Sequence, residues 1–396
     1  MRPASTPLAN IDFSSRRPRL VAGSGCVARV GELAREFGGT CALLVTDQGI
    51  VAAGHAQRVT SALQAQGLTV VIYDQVHENP TTDDVAACLK IAQSGKVDII
   101  IGVGGGSSLD TAKGCNFLLT NGGRMRDYWH TKAATKPLLP LIAIPTTSGT
   151  GSECQSYALI ADAETHQKMA CGDAKAMARV ALLDPMLTIT QPRKVSACTG
   201  LDAIGHAVET MVTSKRNPVS HLFAREAFAL LNTHFPIVLE KPTDVGARGA
   251  MQLGAAYAGL AIENSMLGAA HACANPLTAR HGVIHGQAVA MMLPTVVRYN
   301  AGDPVAAALY AELSVFAGLS MPGNVDAAVN ALVRRLDELL VIAGLPNNLK
   351  AMGVNENDIA ALAQNAEQQW TGTFNPRPVK AAEFTTLYQL ALLGQA

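Results

Sequence analysis

The chain changes its hydrophobic rhythm near its middle. Ahead of residue 184, short apolar runs at 41–46, 69–73, 98–103 and 140–144 are rich in Val, Ile and Leu and are bounded by Gly, Pro, Asp or Thr. Such runs read as buried strands. Helix-like stretches at 52–66 and 82–93 lie between them and are long enough for right-handed crossovers. The pattern predicts a parallel, doubly wound sheet, with Thr81 or Thr82 as an N-cap after Asn79-Pro80. After Asp184-Pro185 the apolar stretches lengthen and fill with Ala and Leu, at 200–213, 218–233, 244–267, 324–343 and 356–368. These have helical length and spacing. The expectation is an α/β domain over residues 1–190 and an all-helical domain over 191–396, with a site in the cleft between them.

Composition narrows the function classes. A length of 396 residues suits two domains, and 48% hydrophobic against 16% charged residues excludes a disordered chain. Basic and acidic residues number 31 each, so no net positive field exists to hold nucleic acid or anionic lipid. No apolar run approaches the roughly 18–20 residues that cross a bilayer, and residues 1–18 lack the apolar core of a secretory signal. Eight cysteines are scattered without a CxxC pair, which points to reduced core thiols, a cytoplasmic location and no cysteine-type zinc site. The low charge content suggests self-association into a homodimer or larger homo-oligomer.

Two glycine- and hydroxyl-rich segments follow predicted strands. Gly102-Val103-Gly104-Gly105-Gly106-Ser107 opens a helix that contains Asp110 and Lys113. Consecutive glycines let a backbone approach a pyrophosphate at a helix N-terminus, although Ser107 stands where a G-x-G-x-x-G run has its third glycine. The alternative is a plain strand-to-helix turn. The second segment, 145–153, packs Thr146, Thr147, Ser148, Thr150 and Ser152 around two glycines and can donate hydrogen bonds to a nucleotide; Thr150-x-x-Glu153 also fits a capping box. Asp47, just after the first predicted strand, reads equally as an acceptor for a ribose diol that repels a 2′-phosphate and as an ordinary turn residue.

The sharpest chemistry lies in the helical half. Asp202 and His206 stand four apart, on one face of a helix. His271 and His285 would be about 21 Å apart on one unbroken helix. Pro276 and Gly282 predict a break that folds the second histidine back beside the first. One carboxylate and three imidazoles then suit Fe2+ or Zn2+. His281, one turn before His285, is the competing candidate, whereas His55, His77, His130, His166, His221 and His234 lack this context and read as surface or packing residues.

GGGSSLDTAK at 104–113, PTTSGTGSE at 145–153, TGLDAIGHAVE at 199–209 and the paired-histidine segment at 267–286 together resemble the iron-containing (group III) alcohol dehydrogenase family, in order and spacing over almost the whole chain. The resemblance implies a Rossmann-like N-terminal domain and an all-helical C-terminal domain, an architecture similar to that of dehydroquinate synthase. It implies a metal held by Asp202, His206, His271 and His285, and a nucleotide loop of Gly104, Gly105, Gly106, Ser107 and Asp110 with Thr146, Thr147 and Ser148 beside it. Asp47 matches the residue selecting NAD over NADP, and Asn79 and Lys168 match further cofactor contacts. Many relatives carry a nicotinamide-facing histidine one turn after the first histidine ligand of the paired segment; here that position is Asn275, which cannot relay a proton near neutral pH. The implied activity is hydride transfer between a nicotinamide cofactor and a small alcohol or aldehyde. An oxo-acid reductase or hydroxyacid–oxoacid transhydrogenase of the same family, a dehydroquinate synthase-like lyase and a non-enzymatic NAD sensor are the alternatives.

Overall fold

The computed structural model describes residues 17–129, 134–165 and 167–394, so His130 and His166 and nearly all of the 1–18 segment lie outside the described residues. The strands are β1 (Arg19–Ala22), β2 (Cys41–Val45), β3 (Thr69–Tyr73), β4 (Ile99–Gly104), β5 (Leu141–Pro145), β6 (Tyr157–Ala161), β7 (Lys168–Gly172) and β8 (Val180–Leu183). Between them run α1 (Val30–Glu36), α2 (Gln48–Ala52), α3 (His55–Ala65), α4 (Thr82–Gly95) and α5 (Gly106–Asn121). Six strands form one sheet in the order β1-β8-β5-β4-β2-β3, every pair parallel. Alternate residues of each strand feed opposite layers, as a pleat of period two requires. Leu44 and Ile101 pack with Leu33 of α1 and Leu63 of α3. Leu43, Val45 and Ile100 pack with Cys88 of α4 and Leu109 of α5.

Three features were not foreseen. β1 and β8 hold only four residues each and owe their place to pairing, β1 with β8 at the sheet edge and β8 also with β5. β6 and β7 form an antiparallel hairpin outside the main sheet. The expected helix over 52–66 is two helices, α2 and α3, separated at Gly54, whose φ of 78° ends one and caps the other. Thr81 is the N-cap of α4, in a capping box with Asp84.

From Arg193 onward every regular element is helical: α6 (Arg193–Val212), α7 (Pro218–Glu240), α8 (Val245–Glu263), α9 (Ala269–His281), α10 (His285–Asn300), α11 (Pro304–Phe316), α12 (Val325–Ala343), α13 (Glu356–Glu367) and α14 (Ala381–Leu393). α6 is buried on all sides from Gly200 to Val212, enclosed by residues such as Phe235, Met251, Val289 and Leu332. No helix among the described residues is long and apolar enough to cross a membrane, and all eight cysteines are free.

α8 is the seam between the halves. Gln252 Nε2 donates to the Pro145 carbonyl at 2.9 Å, and Glu263 accepts from Ser156 N and Oγ, both at 2.9 Å. Gly151 and Gly259 meet backbone to backbone: a Cβ built on Gly259 would lie 2.5 Å from the Gly151 oxygen. The hydroxyl-rich loop is thereby pressed onto the helical half.

Candidate active site

The metal candidates converge because glycines let two helices approach closely. A Cβ on Gly286, the second residue of α10, would collide with the Cys198 carbonyl of α6, and one on Gly205 of α6 would collide with Val289 of α10. This close approach sets His285, the first residue of α10, against Asp202. The return of the chain differs from expectation at one point. α9 runs unbroken through Pro276 to His281, and only Gly282, in the left-handed region with φ of 64°, turns the chain. Pro276 removes one backbone donor, but Ala274, Pro276 and Leu277 are buried, and that packing outweighs the missing bond.

Asp202 Oδ1 faces three imidazoles: His206 Nε2 and His271 Nε2 at 3.5 Å each, and His285 Nε2 at 3.7 Å. The ligand atoms of Asp202, His271 and His285 lie within 4.8 Å of one another; His206 joins through Asp202 and stacks on His271, with ring centroids 4.8 Å apart. Asp202 Oδ1 and His271 Nε2 are buried without a hydrogen-bond partner. A divalent ion with ligand bonds of about 2.0–2.2 Å spaces its ligands by roughly 3–3.6 Å, so both the donor set and the spacing fit one. Electrostatics agree. Burial holds His206 down to about 4 and His285 down to about 3, leaving both as the neutral imidazoles that ligation needs. Burial also opposes a charge on His271, yet the Glu209 and Asp202 carboxylates outweigh it and raise that ring to about 9. The centre calls for positive charge.

The cofactor candidates gather where the sheet reverses direction. From β2 the chain goes to β3 on one side and returns to β4 on the other, so the loops after β2 and β4 diverge and leave a crevice. Asp47 sits in it as the N-cap of α2, its Oδ1 accepting from Ile50 N at 3.0 Å; it is the turn residue, and its Oδ2 still accepts from Ser108 Oγ at 3.3 Å across the glycine loop. Gly105, Gly106 and Ser107 start α5, and Ser107 Oγ accepts from Asn79 N at 3.3 Å, which ties the turn before α4 to the loop. Thr147 flanks Gly105, Thr146 N donates to the Gly104 carbonyl at 2.9 Å, and the buried Ser148 Oγ has no partner.

Asp110 faces inward. Its oxygens accept from Ser152 Oγ at 2.6 Å and Leu159 N at 3.1 Å, while the fully buried Lys113 donates to Ser152 O, Ser152 Oγ and Tyr157 O, each at 2.7 Å. The expected Thr150–Glu153 capping box does not form. Gly151 caps a short turn over Ser152–Cys154, and Glu153 is buried near Lys113, with burial raising its carboxyl to about 7. Lys168 opens β7 and is exposed, in the electrostatic reach of Asp110, Asp202 and Glu78.

Comparison with known proteins matches this arrangement. Residues 18–185 fit the family described as iron-containing alcohol dehydrogenase, and residues 196–392 fit its C-terminal counterpart. The chain is similar to alcohol dehydrogenase 4 of Schizosaccharomyces pombe, 33% identical over 93% of this chain and 86% of that protein. It is also similar to the NAD-dependent methanol dehydrogenase of Bacillus methanolicus, 33% identical over 95% of this chain and 98% of that one. A crystal structure of a 1,3-propanediol oxidoreductase superimposes with a TM-score of 0.92 at 30% identity, covering 96% of this chain and 100% of that one. The chain belongs to the iron-containing alcohol dehydrogenase family. Its class of reaction is oxidoreduction at a CH–OH group, interconverting alcohol and aldehyde.

Within this alcohol dehydrogenase, sequence reasoning left Glu209 without a role. It is buried, its Oε2 accepts from His271 Nδ1, and its Oε1 accepts from Ala270 N at 2.6 Å. A carboxylate behind a ligating histidine fixes the ring's tautomer and direction. Its spacing was a usable signal, because 202, 206 and 209 share one helical face. His281 is no ligand candidate: it closes α9 and faces Asp358 of α13 at 3.9 Å. Asn275, one turn beyond His271, is half-buried and donates to Gln369 Oε1 at 2.9 Å.

Proposed function

We propose that this chain is a metal-dependent alcohol dehydrogenase and aldehyde reductase that uses NAD, acting on small alcohols and aldehydes. The observation that carries the reading is the buried Asp202 Oδ1 facing three imidazole nitrogens at 3.5–3.7 Å with no other partner. Asp202, His206, His271 and His285 hold the ion; Fe2+ is the family's namesake, and Zn2+ suits the same donors. When bound, the ion supplies Lewis acidity that makes a hydroxyl more acidic, and the nicotinamide supplies the carbon that takes or gives hydride.

The protein's own residues bind and orient. The N–H groups at the start of α5, from Gly105 to Ser107, would hold a pyrophosphate, with Gly104 allowing close approach and Thr146, Thr147 and Ser148 beside the loop. Asp110, at the start of the same helix, holds the hydroxyl-rich loop in place through Ser152. The Asp47 carboxylate favours a ribose diol and repels a 2′-phosphate, which supports NAD over NADP. Asn79, tied to Ser107 of the glycine loop, and Lys168, a cation near Asp110 and Asp202, supply further cofactor contacts. Glu209 holds the His271 Nδ1 proton, so that Nε2 stays free for ligation. The seam at α8 keeps the two walls of the cleft in register. A homo-oligomer fits the charge-poor composition, and a cytoplasmic location fits the free cysteines.

The test is His206→Ala. Loss of bound metal together with loss of alcohol-dependent NADH formation is expected; undiminished turnover in a metal-free variant would sink the reading.

A further inference from the structure

The side chain one turn beyond His271 lies on the same face of α9, with its Cβ about 6 Å from that of the histidine, and so borders the cleft wall next to the metal candidates. Asn275 occupies it, and what an amide presents to a substrate depends on which way it is turned. Here a short relay sets the direction. The Asn365 backbone carbonyl can only accept, so the neighbouring Gln369 turns Nε2 toward it, at 3.4 Å. Gln369 Oε1 then faces Asn275 and accepts from its Nδ2 at 2.9 Å. Asn275 Oδ1 is left over: among the described residues no side chain or backbone donor reaches it. That face of α9, one turn beyond His271, therefore offers an acceptor. Beside the relay, Trp370 meets Tyr157 of the β6–β7 hairpin, ring centroids 6.3 Å apart, and bridges the two halves of the molecule with apolar surface.

We propose that Gln369 is a positioning residue that fixes the polarity of Asn275, and that the enzyme thereby selects alcohols and aldehydes carrying a second hydrogen-bond donor, such as a distal hydroxyl. The proposal rests on the alcohol–aldehyde reading above and names the substrate class of that same site. A diol places its second O–H against Asn275 Oδ1. An unsubstituted alcohol leaves that oxygen desolvated and unpaired, and a methoxy alcohol sets oxygen against oxygen. Gln369 touches no reacting atom. Its influence runs through Asn275 alone.

The experiment compares kcat/KM for α,ω-diols of two to four carbons, 1-alkanols of equal length and the matching ω-methoxy alcohols, using metal-loaded enzyme with NAD. At the best length the diol should exceed both rivals by about tenfold, the discrimination of one net hydrogen bond to a half-buried acceptor. Gln369→Leu frees the amide to turn and should bring that ratio towards one while leaving bound metal and the Kd for NADH unchanged. Gln369→Glu still accepts from Asn275 Nδ2 and should retain the preference. In an Asn275→Leu background the ratio is already lost, and adding Gln369→Leu should change it no further. A wild-type ratio near one with ordinary turnover overturns this proposal alone; absence of turnover on every alcohol and aldehyde overturns the functional reading beneath it. Retention of the ratio in Gln369→Leu, or an equal loss caused by that change in both backgrounds, also overturns the proposal.

Discussion

Glu209 shows how one side chain can govern a centre it does not enter. Its two oxygens divide their work between the His271 ring and the Ala270 N–H that begins the same helix. In Glu209→Gln the amide nitrogen would face one of these donors, so one bond becomes a repulsion and the charge that raises His271 is lost. Metal affinity should fall by about 10–100-fold, read by competition against a chelator, with an unchanged Kd for NADH as the control. Equal affinity would show that the carboxylate is not orienting the ring. The four ligand candidates were legible because Asp and His at helical spacing, followed by a histidine pair around a turn, are unusual in an alanine-rich stretch. Glu209 was legible in principle from its place on the same face. Gly286 was not, because the Cys198 carbonyl that requires it to lack a side chain is distant in sequence and its position is set by the packing of α6 on α10.

At the scale of elements, local chemistry predicts starts better than continuations. Thr81 begins α4 as expected, with Asp84 completing the box: Asp84 Oδ2 accepts from Thr81 N at 2.7 Å and Oγ1 at 2.8 Å, and Oδ1 lies 2.6 Å from His77 Nδ1. Burial pushes the Asp84 carboxyl up, but the bonds from His77 and Thr81 outweigh it and hold the group below its usual value of 3.8. Its folded pKa is therefore lower than its unfolded one, so the stability it adds is present in full above the unfolded value and is lost as pH falls through the folded one. Asp84→Ala should cost about 1 kcal/mol at pH 7, and the gap from wild type should narrow as the pH drops below the usual value of 3.8, both measured by urea unfolding. A gap that holds constant through that window would contradict the assignment. Continuations failed for the opposite reason. Pro276 reads as a breaker because sequence shows the missing donor and not the buried neighbours that keep α9 straight, and 52–66 reads as one helix because its periodicity outruns the turn at Gly54. The hairpin β6–β7 escaped notice because its order depends on Asp110 and Lys113, which hold it from a different helix.

For the whole molecule, the question is how a loop in one half and ligands in the other stay aligned. The change of rhythm near residue 184 announced two layers of architecture, but nothing local announced the surface on which they meet. That surface centres on α8, where Gly259 lies against Gly151 and Gln252 and Glu263 bind the ends of the hydroxyl-rich loop. The loop also abuts the ligand helix, since a Cβ on Gly149 would stand 2.5 Å from Thr199 Cβ, one residue before the buried core of α6. Displacing the seam should therefore disturb both functions at once, though it touches neither. In Gly259→Val the added side chain would meet the Gly151 backbone, which is held in the left-handed region at φ of 64° and cannot give way as a flexible side chain would. The overpacking should cost about 1–3 kcal/mol. Because the strain falls on the loop that abuts both the glycine turn and α6, the Kd for NADH should rise about tenfold and bound metal should fall in parallel. Fluorescence titration of NADH and metal analysis on the same folded sample separate the outcomes: loss of one function with the other intact would mean that the seam positions a single wall and that the two halves are not aligned through α8.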